Sequence, residues 1–345
     1  MRTAEAATEG HPDKVCDQIA DAILDAYLAR DPSARVAVEV FGSHGLLVIG
    51  GEVTSEAQID AEAVAKQVYT DIGYPNDIEV LVNLHKQSPE IAIGVDAGGA
   101  GDQGIMHGYA TCETPEMMPY AQALAQRLAQ GLTDLRRHDR DFKWLLPDGK
   151  TQITTDGGRV TKVVVSAQHD ATMPVQEMQP RIIDALVKPL IKDLTGAEIL
   201  INPLGSFHTG GFSADTGLTG RKIVMDAYGP HLPVGGGAFS GKDATKVDRS
   251  AAYMCRFAAK NIVANGLAKN CLVSVAYAIG RDEPVMLIAR GDGNKDLSPV
   301  LKQHFDFRPL AIIERLKLRQ PIFRATACYG HFGRPGFPWE EIVGM

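Results

Sequence analysis

The chain has 345 residues, of which 45% are apolar and 22% charged, and its net charge is −7. These values sit near the globular average and exclude a disordered chain. The acidic balance excludes the basic field of a nucleic-acid binder, and no run approaches the ~20 apolar residues of a membrane span. The N-terminus lacks the apolar core of a signal peptide. The length suits two or three domains of roughly 100–150 residues. Five cysteines, Cys16, Cys112, Cys255, Cys271 and Cys328, form no CxxC pair. They read as buried hydrophobes of a cytoplasmic protein.

In chain order, Pro12–Ala29 reads as a helix with Asp13 and Asp17 at its positive end. Val15, Ile19, Ala22, Ile23 and Tyr27 form its buried stripe. Val36–Val40 and Leu46–Gly50 read as strands around a hairpin turn at Gly42–Gly45. A helix over Ala61–Ile72 and a strand over Glu79–Leu84 follow. Lys86–Gly104, rich in Gly and Asp, reads as a mobile functional loop or a linker. Next come a helix over Tyr120–Leu135, a strand over Val160–Gln168, a long helix over Met178–Leu194 and a short strand over Glu198–Ile201. Lys222–Ala227 reads as a strand, and Asp248–Ala264 as a helix stopped by Asn265-Gly266. Strands at Leu272–Ile279 and Pro284–Ile288 and helices at Leu297–His304 and Pro309–Leu316 close the chain. Helices alternating with strand pairs point to an α+β fold of repeated sheet-and-helix units.

Four segments carry chemistry. In Gly235–Asp248, Gly236 to Lys242 matches the GxxxxGK of a P-loop. However, Asp243 stands where a magnesium-binding hydroxyl belongs, and Pro233 spoils the preceding strand. The glycines still let backbone N–H groups approach phosphate, and Lys242 and Lys246 can face one polyanion. Asp248 serves as helix N-cap or as metal ligand. Gly10–Lys14 packs His11, Asp13 and Lys14 onto a turn opening a helix at Pro12. It is a charged helix start or a grip on phosphate and metal. Asp102 sits in a glycine frame. Asp215–Lys222 places Arg221 and Lys222 after a glycine turn, as a solvated strand end or an anion contact.

Together these segments resemble methionine adenosyltransferase, the S-adenosylmethionine synthetase family. The ordered motifs are GHPDK at Gly10–Lys14, GGE at Gly50–Glu52, KQSPEI at Lys86–Ile91 and GAGDQG at Gly99–Gly104. GYAT follows at Gly108–Thr111, then TGLTGRK at Thr216–Lys222, GGGAFSGKD at Gly235–Asp243, KVDRSAAY at Lys246–Tyr253 and YGHFGR at Tyr329–Arg334.

The resemblance implies that methionine sulfur attacks C5′ of ATP and that the released triphosphate is hydrolysed to pyrophosphate and phosphate. It implies an α+β fold of three related domains, residues 1–90, 102–210 and 212–345, with pseudo-threefold symmetry. His11, Lys150, Arg221 and Lys242 would be catalytic. Lys14, Asp148, Phe207, Asp215, Lys222 and Ala238 would join them around ATP. Glu52, Gln87, Asp215 and Lys246 would hold methionine. Asp13, Asp102 and Asp248 would hold two magnesium ions, and Glu39 potassium. The family forms homodimers and homotetramers that share active sites. The loop Ile91–Ala100 is shorter than the family's usual one, and Ser206 and His208 depart from its residues beside Phe207.

Overall fold

The computed structural model describes residues 1–86 and 98–345. The expected loop Lys86–Gly104 falls largely outside them, as does Gln87. The first elements are β1 (Arg2–Ala7), α1 (Pro12–Leu28), β2 (Arg35–Ser43), β3 (Leu46–Thr54), α2 (Ala61–Ile72) and β4 (Glu79–His85). β5 (Gly104–Thr111), α3 (Tyr120–His138), β6 (Leu145–Asp156), β7 (Arg159–His169), α4 (Val175–Ile182) and β8 (Glu198–Ile201) follow. The last are β9 (Gly217–Leu218), α5 (Ile223–Asp226), α6 (Val247–Ala264), β10 (Asn270–Tyr277), β11 (Met286–Gly291), α7 (Ser298–His304) and α8 (Pro309–Arg315).

The described strands form three sheets, in the orders β4-β3-β2-β9, β1-β6-β7-β8 and β11-β10-β5. Each carries one long helix: α1 on β2, α3 on β1 and β6, α6 on β5 and β10. This is the expected α+β arrangement of three related units. The sheets exchange strands, however. β1 pairs with β6 far along the chain, β5 with β10, and β9 with β2. The units therefore lock together through backbone hydrogen bonds as well as through side-chain packing.

Several elements differ from expectation. β1, β5 and β6 were not expected. β1 is alanine-rich and β5 holds glycines, so neither shows the bulky β-branched signal. β6 contains Asp148-Gly149, a turn signal, which its register irregularity between Leu145 and Gly149 absorbs. Residues 222–227 form one helical turn, α5, in place of a strand, closed by Asp226 N–H on Lys222 O at 2.8 Å. The long helix starts at Val175 and passes into a π-helical segment, Ile183–Val187. Pro180 within it and Pro189 beyond each remove an N–H donor.

α1 and α6 are buried almost all round. Such helices ordinarily carry only apolar residues. These two carry buried charges, all of them paired, and the candidate site lies at their N-termini.

Candidate functional site

His11 caps α1. Its Nδ1 accepts the N–H of Asp13 at 3.2 Å, and Pro12 takes the first helical position. Burial, then the charge of Lys222, lowers the His11 pKa to about 3. The ring is therefore neutral, and with Nδ1 accepting, its proton resides on Nε2. A neutral N–H donor at a helix N-terminus suits an anionic oxygen.

Down one face of α1, aspartates recur at 13, 17, 21 and 25, the i, i+4 spacing of one helix side. Each accepts backbone N–H from a distant segment, Asp13 and Asp17 from the same one. Asp13 holds Leu218 N–H at 2.9 Å, and Asp17 holds Gly220 N–H at 2.9 Å. Asp21 holds Gly241 N–H at 2.8 Å, and Asp25 holds those of Phe323 and Arg324 at 3.0 and 2.8 Å. Dipole compensation, the expected role of Asp13 and Asp17, is thus the lesser part of their work. Asp13 also pairs with Lys222 and Arg221. Burial alone would raise its pKa, but the Lys222 hydrogen bond and the Leu218 N–H outweigh burial and lower it.

Residues 231–246 contain no strand and do not enter a helix at Lys242, so the segment is no P-loop. Lys242 Nζ meets Asp248 Oδ2 at 2.7 Å, and Lys246 pairs with Asp243. The N-cap of α6 is Lys246, without a capping side chain. Asp248 therefore lies inside the first turn, and the N-cap reading is corrected. A Cβ on Gly237 would come within 2.0 Å of the Asp248 carboxyl carbon, so a larger residue there would push that carboxylate aside. Ala238 packs on Gly220, joining the 235–248 and 215–222 segments.

Lys150, Arg221 and Lys222 line one cavity of about 320 Å³ with Glu5, Gln122 and Gln152. Lys150 is exposed and only loosely paired, 3.9 Å from Glu5. Beside it, Asp148 accepts Gly211 N–H at 2.9 Å, and burial, partly offset by that bond, raises its pKa to about 6. Phe207 is half-buried. Its N–H donates to His169 Nε2 at 3.2 Å and its carbonyl accepts His169 N–H at 2.9 Å. Asp215 is exposed, with Oδ1 on Thr216 N–H at 2.8 Å.

Other expected residues lie elsewhere. Lys14 does not face the cleft. It is 1% exposed, with Nζ 3.0 Å from Asp17 Oδ2 and 2.6 Å from Asp226 Oδ2. Burial pushes Asp226 up to about 7, so it is partly protonated near neutral pH and the excess negative charge of the triad is reduced. Glu39 and Glu52 are exposed on the outer face of the β2–β3 pair, opposite Gly50 and Ala37 respectively. Asp102 is exposed and accepts Gln103 N–H at 2.8 Å. Among the described residues no three His, Cys, Asp or Glu side chains converge as a metal cluster. Asp21, Asp226 and Arg249 escaped the sequence reading, and Asp17 was expected only to complement the helix dipole. The i, i+4 aspartates were the one visible signal.

Three sheet-and-helix units around a cavity lined by Lys150, Arg221 and Lys222 define a three-domain α+β protein. The chain matches the domains described as "S-adenosylmethionine synthetase, N-terminal domain" over residues 1–89, "central domain" over 97–207 and "C-terminal domain" over 209–341. It is 49% identical to the S-adenosylmethionine synthase of Pseudothermotoga lettingae, covering 99% of this chain and 96% of the relative. It is 48% identical to S-adenosylmethionine synthase 1 of Rhodopseudomonas palustris and 47% to the Thermus thermophilus synthase, each over 98% of this chain and 95% of the relative. The chain belongs to the S-adenosylmethionine synthetase family, and so to the transferases.

Proposed function

We propose that this chain makes S-adenosylmethionine from ATP and L-methionine. A sulfur lone pair forms the S–C5′ bond while the C5′–O bond breaks, and its electron pair leaves with the triphosphate. Water then splits the triphosphate into pyrophosphate and phosphate. The observation that carries this reading is the cavity lined by Lys150, Arg221 and Lys222, close to a neutral His11. Displacement at carbon needs charge stabilisation at the departing oxygen, and fixed cations and N–H donors supply it without reorganisation. His11 Nε2–H donates toward that oxygen, and Lys242 and Lys246 reach the polyphosphate. Asp148, Phe207 and Ala238 flank the nucleoside, and Asp215 and Lys246 the methionine, with Glu52 and Gln87 as the remaining methionine residues that the family resemblance implies. Lys14 acts from behind, balancing Asp17 and Asp226.

Asp13, Asp248 and Asp102 offer the hard oxygen donors that magnesium prefers, and magnesium takes one or two carboxylates with phosphate oxygens completing its shell. The bound ions would add charge neutralisation at the phosphates. When polyphosphate arrives, Lys222 and Lys242 exchange carboxylate for phosphate, which releases Asp13 and Asp248. Glu39 would serve potassium.

A second copy of the chain is the proposed partner. Leu218, Phe41, Val48 and Leu81 align in one row across the outer face of four strands, with Phe41 39% and Leu81 49% exposed. No described helix is long and apolar enough to cross a membrane. The five cysteines are free thiols, as a reducing cytoplasm would keep them.

The test is incubation with ATP, L-methionine, Mg²⁺ and K⁺. S-adenosylmethionine with pyrophosphate and phosphate is expected. ADP without a sulfonium product overturns the proposal.

A further inference from the structure

Arg249 is fully buried and uses all five guanidinium donors. Nη1 and Nη2 fork onto Asp21 Oδ1 and Oδ2 at 2.6 and 2.8 Å. Nη1 also reaches the Lys242 carbonyl at 3.2 Å, Nη2 reaches Thr326 Oγ1 at 3.1 Å, and Nε reaches Tyr253 Oη at 3.0 Å. The guanidinium stacks 4.2 Å over the ring of Phe323. Asp21 Oδ1 simultaneously accepts Gly241 N–H at 2.8 Å. The ion pair thus grips the Gly241–Lys242 backbone twice, at the N–H of one residue and the carbonyl of the next.

The other side of this dipeptide is held by β2. Gly241 O accepts Val38 N–H at 3.0 Å, and Lys242 bridges Ala37. Gly241 has φ +79°, and a Cβ there would lie 1.9 Å from Val38 O. No other residue fits there. The ion pair and β2 therefore fix the Lys242 backbone from two sides. The same pair ties α1, which carries Asp13, to α6, which carries Asp248.

We propose that Asp21 and Arg249 are positioning residues that aim Lys242 at the substrate polyphosphate and hold Asp13 and Asp248 at a constant separation. This rests on the reading of Lys242 as a polyphosphate ligand. A charge partner alone would not require the grip: Arg249 could satisfy Asp21 without touching Lys242. A bidentate fork with three further donors placed is a geometry only arginine provides.

The test compares Lys242→Ala, the double variant Asp21→Asn/Arg249→Met, and Arg249→Lys. The double variant removes both buried charges together, so neither is left unpaired. It keeps an acceptor for Gly241 N–H and loses the contact to the Lys242 carbonyl. Magnesium tripolyphosphate is titrated calorimetrically into each protein, and kcat and methionine KM are measured on the folded fraction. Lys242→Ala should weaken tripolyphosphate binding on the order of tenfold. The double variant should fold, approach the same weakened affinity and lose on the order of 100-fold in kcat, as expected for a misplacement of about 1 Å, with methionine KM unchanged. Wild-type affinity and turnover in a folded double variant overturn the proposal. If Lys242→Ala itself binds tripolyphosphate like wild type, the reading of Lys242 fails and the positioning role falls with it. If the double variant does not fold, Arg249→Lys decides. It keeps the charge opposite Asp21 but cannot make the fork, so kcat should fall while methionine KM holds. A raised KM at wild-type kcat overturns the proposal.

Discussion

Two groups of cations pair with carboxylates around α1 and α6 and differ in what else can reach them. Lys14 and Arg249 are sealed in. Lys14 lies between Asp17 and Asp226, and Arg249 is forked onto Asp21. Lys222, Lys242 and Lys246 lie on the rim, with side chains 16, 22 and 19% exposed, each holding one carboxylate. A buried pair left half-empty strands a charge in low dielectric, whereas a rim pair can exchange partners with a solvated anion. The first group therefore maintains the frame, and the second is free to meet a polyphosphate.

The largest expected effect breaks the frame. Lys14→Met leaves two buried carboxyls without their cation and should cost about 3–5 kcal/mol in urea unfolding. A variant as stable as wild type would place Lys14 among the rim lysines. Lys242→Ala should do the opposite, with stability within about 1 kcal/mol and kcat lower by roughly 10²–10³-fold. An insoluble variant would make Lys242 a frame residue.

His11 sharpens the contrast, because it is a buried group that serves the rim. His11→Gln should lower kcat by about 10²-fold. Because burial and Lys222 hold the wild-type ring neutral down to about pH 3, the acid limb of kcat should not fall at the ordinary histidine value. A limb near 6.5 that disappears in the variant would refute this assignment.

The smallest expected effect concerns Asp25, which has backbone N–H partners but, among the described residues, no ion pair. Burial raises it from 3.8 to about 6, against the Arg324 and Phe323 N–H bonds. The folded state then holds the proton more tightly than the unfolded chain, so stability falls as pH rises from about 4 to about 6. The contribution is roughly 2 kcal/mol. Asp25→Asn should flatten that slope in thermal melts across the window, whatever its absolute stability; an unchanged slope assigns the titration elsewhere.

Much of the site is local and was legible as such. His11, Pro12 and Asp13 adjoin one another at a helix start, so cap, proline and acid announce themselves together. Arg221, Lys222 and Lys242 lie beside glycines in short runs, and Lys246 follows Lys242 by four residues. β6 was hidden because Asp148-Gly149 reads as a turn, and only its pairing with β1 and β7 holds it extended. Lys14 was misplaced because its neighbours in sequence say nothing of Asp226, which is 212 residues away. The Asp21–Arg249 pair spans 228 residues and leaves no local trace.

The sequence by itself determined the α+β pattern, the long helices α1 and α6 and the residue types that would meet a polyanion, because periodicity, caps and glycine turns act over a few residues. The tertiary structure alone decided which cations are sealed and which are free, which strands cross between units, and which carboxylate each lysine faces. Those choices depend on burial and on contacts between segments hundreds of residues apart, and burial determines whether a charge is part of the frame or available to a substrate.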